Sequence, residues 1–295
     1  MESLLRVGMP VFNGEKFLSR SITSLLNQTY SNFELIISDN ASTDQTSYIC
    51  KEFAKKDKRI IYVRQEQNFG GIWNYNYVLK ESKSKYFMWA AVDDFWEPEF
   101  IAKNIAILES NNEFVSSTSL TKWFGDNHDD DHKNSKNRNL LLKIRFALKP
   151  VKIHSLDKTF EENVKELLSK GHADMMYGIF KTDVLNTIVR NIDFGVGWGY
   201  AMLLNVLKFG KINVIDEILI LKYDGGLSKS GMITFSKVNK GVLGRIFPAM
   251  PYTKWCLRNL GTSIFLKNFD YFIQVNSWVA FSMFVDGLKM LVKKS

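Results

Sequence analysis

The chain has 295 residues, 45% hydrophobic and 24% charged, which excludes a disordered chain and allows one large globular domain or two ordinary ones. A net charge of +8 suits an anionic partner such as a nucleotide or an anionic membrane surface, and no nucleic-acid-binding motif accompanies it. Two cysteines, Cys50 and Cys256, have neither pairing nor zinc spacing, which excludes a disulfide framework and favours a reducing, cytoplasmic setting.

The first third alternates strand and helix. Leu4–Met9 reads as a short apolar strand, and Glu15–Gln28 as a helix with Phe17, Ile22, Leu25 and Leu26 on one side. Phe33–Ile37 is a second strand. Asn40–Asp44 is a polar turn rich in helix-capping residues, and a helix follows to about Lys56. Arg59–Val63 is a third strand, Asn68–Gly71 a turn, and Ile72–Glu81 a helix. Tyr86–Trp89 is a buried fourth strand, and Pro98 suits the first turn of a helix running to Ser110. This order predicts an α/β fold with a parallel sheet and right-handed crossovers.

Val115–Leu120 continues as a strand, and Gly125–Asn139 reads as a polar loop. Helices are expected at Phe160–Lys170 and Tyr200–Phe209, around a polar-aromatic segment at His172–Phe180, with a strand at Lys211–Leu221. From Gly241 the chain turns aromatic and basic. A helix from Tyr271 sets Ala280, Phe284, Leu288 and Leu291 on one face, and suits either packing on the core or docking on an anionic leaflet. No apolar run reaches the roughly 20 residues of a membrane span. No basic, apolar leader opens the sequence, so no signal peptide is expected.

The polar residues of the first third fall at strand ends. Pro10-Val11-Phe12-Asn13 closes the first strand, Asp39-Asn40-Ala41-Ser42-Thr43-Asp44 the second, Asn68-Phe69-Gly70 the third and Asp93-Asp94 the fourth. Carboxyl ends of successive parallel strands converge on one sheet edge, where ligands of open α/β sheets bind. A carboxylate at Asp39 can accept the imide N–H of uracil, thymine or guanine, and the turn at Phe12 can approach the face of a base. Adjacent carboxylates at Asp93 and Asp94 repel unless a cation relieves them. They can hold a ribose and a divalent ion bridging a diphosphate. No glycine-rich phosphate loop is present, so a metal ion must offset most of the phosphate charge. His128-Asp129-Asp130-Asp131-His132 has metal-ligand residue types but sits in the polar loop and reads as solvated. Trp123, Trp198 and Tyr177 read first as core or rim packing, with stacking on a sugar as the alternative.

As an ordered set, Pro10-Val11-Phe12-Asn13-Gly14-Glu15, Ser24-Leu25-Leu26-Asn27-Gln28-Thr29-Tyr30, Asp39-Asn40-Ala41-Ser42-Thr43-Asp44 and Asn68-Phe69-Gly70 resemble the family 2 glycosyltransferases of the GT-A fold over about residues 4–110. Tyr177–Lys181 and Gly210–Leu221 resemble the family's acceptor half more faintly. The resemblance implies a Rossmann-like, mostly parallel central sheet flanked by helices, with a C-terminal helical extension. It divides the chain into a nucleotide-sugar half (1–120), an acceptor half (121–230) and an amphipathic tail (231–295). It implies inverting transfer of a sugar from a nucleotide-diphosphate donor, UDP favoured, with Mn2+ or Mg2+ assisting, and the aromatic basic tail points to a hydroxyl of a surface or lipid-linked glycan as the acceptor. The tail adds an anionic membrane surface at the inner leaflet as an expected partner.

Pro10, Phe12, Asn13, Asp39, Asn68, Gly70 and Asp93 are the expected donor contacts, and Asp94 with Asp93 the expected metal ligands. Two departures stand out. Ala91 replaces an acidic residue often found two places before the Asp pair. Gly199 falls where the family places its catalytic Asp, which leaves Asp174 or Asp193 as the candidate base. The alternatives are a degenerate nucleotide-binding scaffold, favoured by Gly199 and Ala91, and a nucleotidyltransferase, disfavoured by the missing phosphate loop.

Overall fold

The computed structural model describes residues 5–80, 82–125, 153–170, 173–189, 192, 197–223 and 249–292, with residues 282–292 as helix backbone only. Asp193, the His128–His132 run, Phe284, Leu288 and Leu291 lie outside the described residues or side chains.

Four β-strands and three intervening helices build the first half: β1 (Leu5–Val11), α1 (Glu15–Leu26), β2 (Phe33–Asp39), α2 (Thr46–Lys56), β3 (Ile60–Arg64), α3 (Gly71–Lys80) and β4 (Tyr86–Trp89). Next come β5 (Phe95–Trp96), α4 (Phe100–Ser110), β6 (Phe114–Phe124) and α5 (Phe160–Lys170). A 3₁₀ helix (Ala173–Tyr177), β7 (Ile179–Lys181), α6 (Thr182–Ile188), α7 (Trp198–Val206) and β8 (Lys211–Tyr223) complete the sheet region. Three helices end the chain: α8 (Met250–Leu260), α9 (Thr262–Lys267) and α10 (Phe269–Val292).

The strands form one eight-stranded sheet in the order β3-β2-β1-β4-β7-β6-β8-β5. β3, β2, β1 and β4 are mutually parallel, as is the β6–β8 pair, while β7 and β5 run antiparallel to their neighbours. The parallel strands are apolar on both faces because helices cover both. Leu5, Val7, Met9, Leu35 and Ile37 are fully buried in one core layer, with Leu18 and Ile22 of α1 packed onto it. A second layer gathers Phe87, Trp89, Leu185, Met202 and Leu203 with Tyr252, Cys256, Phe265 and Phe272 from the terminal helices. Trp198 belongs to that layer, edge-on to Trp89 with ring centroids 5.7 Å apart. It packs as core.

The tail therefore uses one face of its helices as core. The other leaves Leu257, Leu266, Phe269, Ile273, Trp278 and Phe281 exposed. The join to the sheet region is tight. Gly197, the N-cap of α7, has φ +84°, and a Cβ there would stand 2.6 Å from the Tyr252 ring. A side chain adds left-handed strain to that overlap. Gly197→Ala is expected to lower stability by about 3 kcal/mol, read by urea unfolding.

Candidate active site

The loops after β1 and β2 are stitched to each other by side chains that the motifs supply. Asn40 N–H donates to Val11 O (2.9 Å), Asn13 N–H to Ser42 Oγ (2.9 Å), Gly14 N–H to Thr46 Oγ1 (2.8 Å) and Thr43 N–H to Asn13 Oδ1 (2.8 Å). Glu15 N–H donates to Asp44 Oδ2 (3.1 Å), and Glu15 Oε2 accepts from Gln45 N–H (2.8 Å). These bonds hold Asn13 (φ 51°) and Ala41 (φ 60°) in the left-handed region, which costs a non-glycine residue about 1–2 kcal/mol. Strain of this kind collects at functional turns.

Asn40 then fixes the loop after β3. Its Nδ2 donates to Asn68 Oδ1 (2.8 Å) and its Oδ1 accepts from Phe69 N–H (3.0 Å). Gly70 takes φ +91° in that turn. Gln28 performs a similar task behind the Asp pair. It donates to Glu97 O (2.8 Å) and accepts from Ile101 N–H (2.9 Å), clamping the link from β5 to α4.

A cleft of about 720 Å³ opens at this edge, within the size range of small-molecule sites. Pro10, Phe12, Asn13 and Asn68 line it, together with Asp93, Asp94 and Asp174. Seven of the ten expected site residues thus share one cavity. Gly70 shapes the rim through its turn, and Gly71 supplies the lining there. Tyr177 and Trp123 line the cleft too, which gives each a second role beside packing.

Asp39 does not itself line the cleft. It is fully buried, and its neighbour Asn40 faces the cleft instead. Its Oδ1 accepts from Ser42 N–H (2.8 Å), and its Oδ2 from Tyr62 Oη–H (2.9 Å) and the Arg64 guanidinium (2.7 Å). The pairing of Asp39 with Arg64 across β2 and β3 imposes this contact. The carboxylate is occupied by the chain's own donors.

The Asp pair is placed by long-range pairing. Phe95 of β5 lies opposite Leu221 of β8, which brings Asp94 against Lys222. Lys222 Nζ donates to Asp94 Oδ2 at 2.8 Å and stands 3.7 Å from Asp174 Oδ1. It also lies 3.6 Å from the centroid of the Tyr177 ring, a cation–π contact. The Tyr177 hydroxyl is 3.3 Å from that of Tyr75. Asp94 is 2% exposed; burial pushes its carboxyl up to about 6, against the pull of Lys222. Burial also raises the Asp93 carboxyl. For Lys222 burial works against the charge, but Asp94 and Asp174 outweigh it and hold the ammonium above the usual lysine value.

These residues do not fit the expected divalent ion as they stand. Among the described residues no three His, Cys, Asp or Glu side chains converge as a ligand set, and Asp94 is already paired with an ammonium. Sequence reasoning missed Lys222 altogether, because on a strand pattern it is only one more strand-end lysine.

Gly199, at the expected place of the base, faces the 3₁₀ helix. A Cβ there would meet Met176 Sδ at 3.1 Å. The next carboxylate on that side is Asp174, on the same 3₁₀ helix and inside the cleft.

An edge of parallel strands carrying carboxylates, beneath a cleft closed by an antiparallel extension of the sheet, defines the GT-A class of sugar-nucleotide fold. Staphylococcus aureus TarS 1–349 in complex with UDP-GlcNAc matches with TM-score 0.60 and 18% identity, over 79% of this chain and 64% of that one. The mannosyltransferase PcManGT of Pyrobaculum calidifontis, in complex with GDP-Man and Mn2+, matches with TM-score 0.59 and 12% identity, over 96% and 73%. The chain belongs to Glycosyl transferase family 2, whose sequence profile matches residues 6–185. It is 33% identical over 129 residues to the Escherichia coli UDP-Glc:alpha-D-GlcNAc-diphosphoundecaprenol beta-1,3-glucosyltransferase WfgD, covering 41% of this chain and 50% of that protein. It is 35% identical over 113 residues to an uncharacterized glycosyltransferase of Haemophilus influenzae, covering 38% and 35%. The chain thus spans half or less of the length of the curated relatives it matches.

Proposed function

We propose that this chain transfers a sugar from a nucleoside-diphosphate donor, UDP favoured, to a hydroxyl of a surface or lipid-linked glycan, with inversion. The observation that carries the reading is the convergence of Asp93, Asp94, Asp174 and Lys222 in one cleft at the carboxyl edge of the sheet. UDP is favoured by the UDP-GlcNAc bound to TarS and by the donor in the name of WfgD; the diphosphoundecaprenol in that name supports a lipid-linked acceptor.

In this reading the nucleoside lies along Pro10, Phe12 and Asn68, on the turn that Asp39 and Arg64 brace. Asp93 takes the ribose side. The diphosphate points to the floor beside Lys222. The oxygen of the acceptor hydroxyl attacks the anomeric carbon from the side opposite the diphosphate as its proton passes to a carboxylate base, for which Asp174 and Asp193 are the candidates. The bond to the diphosphate breaks and its electrons leave with the nucleotide. The aromatic rings of Tyr177, Trp123 and Tyr223 wall the sugar from water. Asp174, a carboxylate in the cleft, supports catalysis over the scaffold alternative.

A thermal-shift panel of UDP, GDP and dTDP tests the nucleotide site. At a hundredfold excess over Kd one of them is expected to raise the melting temperature by about 5 °C. No shift with any of the three, with or without manganese, would overturn the reading.

The tail supports a position at a membrane face. No helix among the described residues is long and apolar enough to cross a membrane. Its outer side presents Leu266, Phe269, Ile273, Trp278 and Phe281 beside exposed Lys254 and Arg258, the pairing of apolar area with positive charge that suits an anionic leaflet. The chain is expected to float with phosphatidylglycerol vesicles, and Trp278→Ser/Phe281→Ser to remain at the bottom of the gradient. Equal flotation of both proteins would remove the tail's outer face from this role.

A further inference from the structure

We propose that Lys222 is the resident cation of the cleft: it holds the position against Asp94 where a divalent ion would sit, and meets the donor's diphosphate itself. This rests on reading the cleft as a nucleoside-diphosphate site. The ammonium is fixed by the sheet, since Lys222 pairs with Trp123 of β6 while its neighbour Leu221 pairs with Phe95 of β5. Its side chain is 7% exposed and still lines the cleft. Burying an ammonium is costly unless partners compensate it, and here two carboxylates and the face of Tyr177 do so.

The chemistry suits phosphate. An ammonium carries three N–H donors, and Asp94 takes one at 2.8 Å. Lysine binds phosphate as a compact point charge. Without Lys222 the floor would present Asp93, Asp94 and Asp174 to an incoming diphosphate, and the sequence offers no glycine-rich loop to offset them. A divalent ion on the same Asp94 oxygen would stand a few ångströms from the ammonium, where like charges repel strongly. The two cations exclude each other, and Lys222 is the one covalently attached.

Calorimetric titration of the full chain with UDP, GDP and dTDP, in EDTA and in manganese, tests this. Manganese is expected to change the affinity of the tightest of the three by less than about threefold, and Lys222→Met to weaken it in EDTA by about tenfold or more. Lys222→Arg is expected to keep most of the affinity. Lys222→Met leaves Asp94 buried without its partner, so Asp94→Asn/Lys222→Met, which removes both charges together, guards against a folding defect. This double variant should be as weak as the single one. Recovery of wild-type affinity in the double variant would overturn the proposal, because the ammonium would then serve only to neutralise Asp94. A tenfold or greater gain from manganese in the wild-type chain would overturn it as well, while sparing the nucleotide reading. Binding of none of the three under either condition would overturn both.

Discussion

Asp174→Asn is expected to lower the single-turnover rate of sugar transfer by about 10²- to 10⁴-fold, the usual contribution of a positioned general base. Nucleotide affinity should stay within about threefold of wild type, because the 3.7 Å gap to Lys222 is too long for a strong hydrogen bond. That division between rate and binding separates a base from a residue that merely shapes the cleft. Asp174 comes from the 3₁₀ helix that buttresses α7, whereas the resemblance looks for the carboxylate at the start of α7 itself, where Gly199 stands. The proton acceptor would thus have moved from one element to the element packed against it. Asp193→Asn is the companion measurement. If Asp174→Asn keeps the wild-type rate and Asp193→Asn loses it, the base is Asp193; if both keep it, neither carboxylate serves.

Asp39→Ala is expected to lower stability by about 3 kcal/mol in urea unfolding, with Asp39→Asn losing about half of that. The buried carboxylate accepts from Ser42 N–H, Tyr62 Oη–H and Arg64, so its removal strands three donors at once. The half-exposed Arg64 can turn to solvent, which keeps the loss near the lower end of what breaking a buried pair costs. The expectation separates two roles for one residue. A carboxylate that reads a base directly would cost affinity and little stability. One that holds the turn costs stability first, and affinity through the turn. An Asp39→Ala chain as stable as wild type but unable to bind nucleotide would restore the direct role.

The parallel half of the fold was legible because each of its strands is short, apolar and bounded by a polar turn. Expected strands at Phe33–Ile37 and Tyr86–Trp89 match Phe33–Asp39 and Tyr86–Trp89, and the helix at Phe160–Lys170 matches residue for residue. The motifs marked the carboxyl edge of the sheet, where the cleft opens, since strand ends of one polarity must gather there. They did not distinguish a residue that faces the ligand from one that builds the turn. Asp39, Ser42, Thr46 and Asp44 carry the same polar signature, and most of their hydrogen bonds go to backbone N–H groups. Lys222 was illegible for a different reason. Its meeting with Asp94 spans 128 positions and depends on β5 adding antiparallel to the edge of β8. Local periodicity holds no information about that pairing. The same applies to β7, which slips antiparallel between β4 and β6 and carries the 3₁₀ helix into the cleft.

Gly197 gives the tail a mechanical meaning. Tyr252 of α8 presses on this residue, α7 starts from it, and α7 in turn packs against the short helix bearing Asp174. Gly197 and the Tyr200 ring thus join the terminal helices to α7, and α7 joins them to the short helix that bears Asp174.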